Sequence, residues 1–185
     1  TAFTGMDALA HCLEAYSSNY FHPLSQGIAL EGMKIIKDNL IVAYNDGKNL
    51  KARANMLATS SMGSIAFQKG LGAIHSLSHP IGAIYNTHHG LTNAVFMPYV
   101  LIRNKEVIEN KIIDLSRYLN LSNPSFNSFL DWILDLRKSL SIPHTLKELI
   151  DDDSNFKKMS VMALNDPSTS SNPINLNQDD FLKLY

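Results

Sequence analysis

Apolar side chains recur every three to four residues along almost the whole chain, and the period-two alternation that a half-buried strand requires is nearly absent. A chain patterned this way hides its stripes by packing helix on helix, so residues 1–185 are expected to form one all-α helical bundle. Thr4 predicts the cap of a helix reaching Ser17, with Met6, Leu9, Ala10 and Leu13 on its stripe. Pro23 suits the first turn of a second helix, running to about Leu40. The turn Asp46-Gly47 leads to a third, Asn49 to Phe67, whose Ala, Ser and Gly residues let neighbours approach closely and mark it as central and buried. Gly70-Leu71-Gly72 then breaks the pattern before a helix from Ala73 to Tyr85, expected to bend at Pro80. After the loop Asn86 to Gly90, an apolar helix from Leu91 to Asn104 is expected to kink at Pro98. Glu106 to Leu119, Phe126 to Ser141 and Ser154 to Leu164 read as separate helices, Asn165 to Asn177 as a surface loop, and Asp179 to Tyr185 as a last short helix.

Composition narrows the partners. The 185 residues are 45% hydrophobic and 18% charged, which suffices for a real core and argues against disorder. A formal net charge of -1, with no block of like charges, does not suit nucleic acid. The longest apolar run, Ala94 to Ile102, is broken by Pro98 and falls short of the roughly 18 residues of a membrane span, so no membrane is expected. One cysteine, Cys12, excludes an internal disulfide or a thiolate metal cage and fits a cytoplasmic setting. The first residue is Thr1 and no leader-like segment is seen, which reads as a fragment of a longer protein.

Histidines carry the chemistry. Four of the seven lie between His75 and His89. Residues four apart on a helix share a face with Cβ atoms about 5–6 Å apart, so Asp7 and His11 present a carboxylate and an imidazole to one point. His75 and His79 repeat that geometry, and His88 and His89 follow on a loop able to curl back. A divalent metal takes three or four N or O donors at about 2.0–2.2 Å, and Asp7, His11, one or both of His75 and His79, and a loop histidine supply such a set. Without thiolate it suits Fe²⁺, Zn²⁺, Mn²⁺ or Ni²⁺. The competing reading is that these are satisfied structural histidines; His22 and His144, each beside a proline, are taken as loop residues. Gly70-Leu71-Gly72 lacks the preceding strand and the third Gly of a dinucleotide fingerprint, and no nucleophile elbow, His-Glu-x-x-His or Walker sequence occurs.

The segments Gly5-Met6-Asp7-Ala8-Leu9-Ala10-His11-Cys12-Leu13-Glu14-Ala15-Tyr16, Gly72-Ala73-Ile74-His75-Ser76-Leu77-Ser78-His79-Pro80 and His89-Gly90 together resemble the iron-containing (group III) alcohol dehydrogenases. Pro23-Leu24-Ser25, Tyr85-Asn86-Thr87 and Asn172-Pro173 extend the likeness to essentially the whole chain. The resemblance implies a two-domain enzyme of dehydroquinate-synthase-like architecture, in which an N-terminal α/β domain binds NAD or NADP and an all-helical domain binds the metal. This chain resembles the second domain alone. The family's metal ligands fall by motif on Asp7, His11, His75 and His89. His79 falls on a non-ligand histidine lining the same cleft, with an implied role in catalysis, relaying the alcohol proton, or in orienting groups around the cofactor. His88 stands where the family commonly has Pro, which leaves it as a substitute ligand or a neighbour of one. The implied chemistry is Fe²⁺-assisted hydride exchange, Zn²⁺ being the alternative metal, between a small-molecule alcohol or aldehyde and NAD(P), in a protein that forms a homo-oligomer such as a dimer. The alternatives are a glycerol-dehydrogenase-like or dehydroquinate-synthase-like zinc enzyme, or a metal-binding module without activity of its own.

Overall fold

Eight α-helices, three short 3-10 turns and no strand make up the computed structural model, which describes all of residues 1–185. The helices are α1 (Ala2–Ser17), α2 (Pro23–Asn45), α3 (Leu50–Ala66), α4 (Ala73–Tyr85), α5 (His89–Tyr118), α6 (Phe126–Ser139), α7 (Phe156–Leu164) and α8 (Gln178–Leu184). No helix is long and apolar enough to cross a membrane.

The central helix is α1, not α3 as its small residues suggested. Gly5, Met6, Ala8, Leu9, Ala10, Cys12, Leu13, Glu14, Ala15 and Tyr16 of α1 are all buried, covering nearly its whole circumference, and α2, α3 and α5 pack around it. On α3 only Ala52, Thr59, Gly63 and Ala66 are buried, whereas Leu50 and Leu57 lie exposed. Small residues allow close approach on one face; burial all round requires apolar side chains all round, which α1 has.

Boundaries shift where caps decide them. Thr1, not Thr4, is the N-cap of α1, and α2 runs beyond Leu40 to Asn45. His22 caps α2, its Nδ1 accepting from the Ser25 N–H at 3.2 Å. Leu91–Asn104 and Glu106–Leu119 are not two helices but parts of the 30-residue α5, which continues through Pro98. Proline removes one backbone bond there, yet Ala94, Val95, Phe96, Met97, Val100 and Leu101 are buried on both sides and hold the segment helical. A loop of three residues, opened by Asn86 in the left-handed conformation (φ 52°), reverses the chain between α4 and α5.

Asn165 to Asn177 is not simply a surface loop. It contains a 3-10 turn, Pro167–Ser171, and buries Ser171 and Asn172 against α4 and α5. The Asn172 Oδ1 accepts from the Ala73 N–H at 3.1 Å and from Asn104 Nδ2 at 3.0 Å, and its Nδ2 donates to Asn104 Oδ1 at 3.0 Å. Asn172 therefore satisfies an otherwise unpaired N–H at the start of α4. No local periodicity announces a bond between residues this far apart.

Candidate metal centre

Three helices each bring a pair of polar side chains spaced one turn apart to the same place: Asp7 and His11 on α1, His75 and His79 on α4, His89 and Asn93 on α5. The approach of α5 to α1 depends on Gly90, since a Cβ there would run into the Phe3 carbonyl. That contact carries His89, the first residue of α5, to Asp7, with Nε2 and Oδ1 3.5 Å apart. Potential ligand atoms of Asp7, His11 and His75 all lie within 4.8 Å of one another, and His89 joins from the Asp7 side. The His11 and His75 rings stack at 4.6 Å, and His79 stacks on His89 at 5.4 Å. Phe67 flanks His11 at 5.6 Å between ring centroids.

His88 does not join the cluster. It stands at the N-cap position of α5 with its ring edge against Phe3, 5.0 Å away, so of the two loop histidines it is His89 that meets the other donors. His79 is placed beside them but engaged otherwise: its Nδ1 bonds to Asp166 Oδ2 at 2.8 Å. Burial pushes the Asp166 carboxyl up, but the bonds it accepts from His79 and Ser168 outweigh this and hold it below the usual carboxylate range. Of the aromatic side chains on these elements, Phe67 borders the cluster, whereas Phe96 lies in the core against Tyr185.

Electrostatics show what the cluster lacks. Asn93, fully buried, has its Nδ2 2.7 Å from Asp7 Oδ1, 3.0 Å from His89 Nε2 and 3.2 Å from His75 Nε2, while its Oδ1 has no partner. One amide nitrogen cannot supply three hydrogens, so lone-pair atoms converge here with too few N–H groups to satisfy them all. A proton is drawn in instead. Burial pushes the His75 imidazolium towards losing its proton, but the carboxylates of Glu14 and Asp7 outweigh it and raise the pKa to about 9. Burial, with help from the His75 charge, lowers His11 to about 4, so that it is neutral at pH 7 with a lone pair to offer. Burial alone would raise the Asp7 carboxyl; His75, His11 and His89 bring it down to about 2. An ionised carboxylate, a neutral imidazole and two further histidines with an orphaned buried amide oxygen beside them fit a divalent cation of the hard-to-borderline kind.

Three residues of this site escaped the sequence reading. Glu14, buried beside His75, continues the stripe Asp7, His11, Glu14, and Asn93 lies one turn beyond His89, so helical spacing was sufficient to find both. Asp166 meets His79 across 87 positions of sequence, and nothing local signals that.

Comparison with known proteins places the chain in a family. The model of the Fe-containing alcohol dehydrogenase family, C-terminal, matches residues 1–185. The chain is 36% identical over 193 residues to a 4-hydroxybutyrate dehydrogenase of Cupriavidus necator, covering 100% of this chain and 50% of that protein. It is 31% identical over 187 residues to alcohol dehydrogenase 4 of Saccharomyces cerevisiae, covering 100% and 49%. The crystal structure of a 1,3-propanediol oxidoreductase superposes with a TM-score of 0.94 at 32% identity, over 100% of this chain and 50% of that one. The chain thus spans about half the length of the curated relatives it matches. On the family match and the shared helical fold, the chain belongs to the Fe-containing alcohol dehydrogenase family and corresponds to its C-terminal domain.

Proposed function

We propose that this chain is the metal-holding half of an iron-dependent alcohol dehydrogenase, with Asp7, His11, His75 and His89 as ligands and NAD or NADP bound mainly by an α/β domain that precedes it in the complete protein. The observation that carries the reading is the convergence of Asp7, His11 and His75 within 4.8 Å, with His89 beside them. A divalent cation held there supplies a Lewis acid that polarises an alcohol or aldehyde oxygen and so favours hydride exchange with a nicotinamide. The chain's own groups do the rest. Asp7 contributes the single negative charge among the ligands, and the histidines keep the donor set otherwise neutral. His79, fixed through Nδ1 by Asp166 and stacked on His89, keeps Nε2 free to pass a proton between substrate and solvent. Phe67 lies beside His11, its ring tilted against the imidazole, and lends the cluster an apolar neighbour on that side. The zinc-enzyme alternatives of the glycerol-dehydrogenase and dehydroquinate-synthase types gain no support from the family match.

Elemental analysis of the chain after anaerobic Fe²⁺ reconstitution and dialysis tests the ligand set, beside Asp7→Ala/His11→Ala. Stoichiometric metal in the parent and none in the double variant is expected; an empty parent overturns the reading. In the complete enzyme, His79→Ala is expected to keep its metal and lose turnover by a factor on the order of 10²–10⁴. Loss of metal would make His79 a ligand instead.

A further inference from the structure

Glu14 touches none of the space between the ligand atoms, yet its carboxylate is almost wholly buried (6% exposed) and both oxygens are committed. Oε2 lies 2.5 Å from His75 Nδ1, and Oε1 accepts the Ile74 backbone N–H at 2.6 Å. Its setting is closely built. Ile74 N–H is in the first turn of α4 and has no partner within the helix, so a side chain of α1 caps α4. A Cβ at Gly72 would come within 3.0 Å of Glu14 Oε1, so the bare backbone there admits the carboxylate.

From this we infer that Glu14 is the positioning residue of the metal centre: it holds the proton of His75 on Nδ1 and aims Nε2 at the Asp7 carboxylate. The inference rests on the metal site proposed above and adds to it the group that orients a ligand. An imidazole whose Nδ1 carries the proton can coordinate only through Nε2, and the partner of Nδ1 decides this. His75 Nε2 is the nitrogen that faces Asp7 Oδ1, at 3.7 Å, and Asn93. The same carboxylate fixes the ring's direction through the α4 backbone next to it, because one rigid group holds both Ile74 and His75. Glutamine in its place has a single oxygen for two N–H donors, and its amide nitrogen would face one of them.

Two measurements test this on the 185-residue chain. The first is the affinity for Zn²⁺ by chelator competition, for the parent, Glu14→Gln, and Glu31→Gln as a control that removes an exposed carboxylate paired with Tyr118. Glu14→Gln is expected to bind Zn²⁺ about 10- to 100-fold more weakly. Glu31→Gln is expected to match the parent. The second needs no metal and no folded Glu14 variant: the His75 Nδ1–H proton resonance of the metal-free parent, assigned by its disappearance in His75→Gln. A strongly downfield, solvent-protected signal is expected. Parental Zn²⁺ affinity in Glu14→Gln, or the absence of that signal from the parent, overturns the inference. A parent that shows the signal but takes up no Zn²⁺ would instead overturn the metal site while leaving the orienting bond in place.

Discussion

His75 is held between two carboxylates, Glu14 on Nδ1 and Asp7 across from Nε2, while His11 stacked on it is driven the other way. The signs give a testable pH profile for the metal-free chain. The folded pKa of His75, about 9, stands above the ordinary 6.5, so its contribution to stability is complete below 6.5 and is lost as pH rises through 9. The folded pKa of His11, about 4, stands below 6.5, so its contribution is present above 6.5 and is lost as pH falls towards 4. Urea midpoints in EDTA are therefore expected to peak near neutrality; His75→Gln should flatten the alkaline limb and His11→Gln the acid limb. The same scale shows what sequence could deliver. Asp7, His11, His75 and His79 were legible because each pair sits one helical turn apart. In the sequence only the family resemblance favours His89 over His88; in the structure His89, and not His88, reaches Asp7.

At the level of elements, α1 supplies Asp7, His11 and Glu14, and its C-terminus is held by two lysines rather than by a glycine. Lys69, only 2% exposed, donates to the carbonyls of Tyr16 (3.1 Å) and Ser18 (3.0 Å), and Lys111 to those of Ser17 (3.1 Å) and Ser18 (3.0 Å). Ammonium groups at a helix C-terminus satisfy its last carbonyls and complement its dipole. Lys69→Met removes buried bonds without emptying space and is expected to cost about 1–3 kcal/mol in chemical denaturation. Leu9→Ala, in the fully buried middle of α1, is expected to cost about 2–5 kcal/mol. The helical periodicity found α1 but not its rank, because apolar spacing reports which face is buried and not how many neighbours surround it. Likewise Pro98 was a sound reason to expect an interruption, and packing on both sides overrode it.

For the molecule as a whole, the C-terminal segment adds long-range ties between α4, the helix that carries both His75 and His79, and the rest. Asn172 bonds the start of α4 to Asn104 of α5, and Asp166 bonds His79. Asn172→Ala is expected to destabilise the chain by about 1–3 kcal/mol, because it leaves the Ala73 N–H and the Asn104 side chain buried without partners. These long-range ties were invisible to a reading by local pattern, which saw only Pro, Ser and Asn and inferred a loop on the surface. The three pairs at one-turn spacing have a further consequence, for the kinds of change the chain tolerates. One residue inserted in a helix rotates everything beyond it by about 100°. An alanine inserted between Asp7 and His11 would therefore turn one donor away from the other, whereas the same insertion at the exposed Asp46-Gly47 turn leaves every pair in phase. The site is thus tolerant of length changes between helices and intolerant of them between the paired residues of α1, α4 and α5, a frame-like constraint that a library of single-residue insertions, sorted by metal content, would map directly.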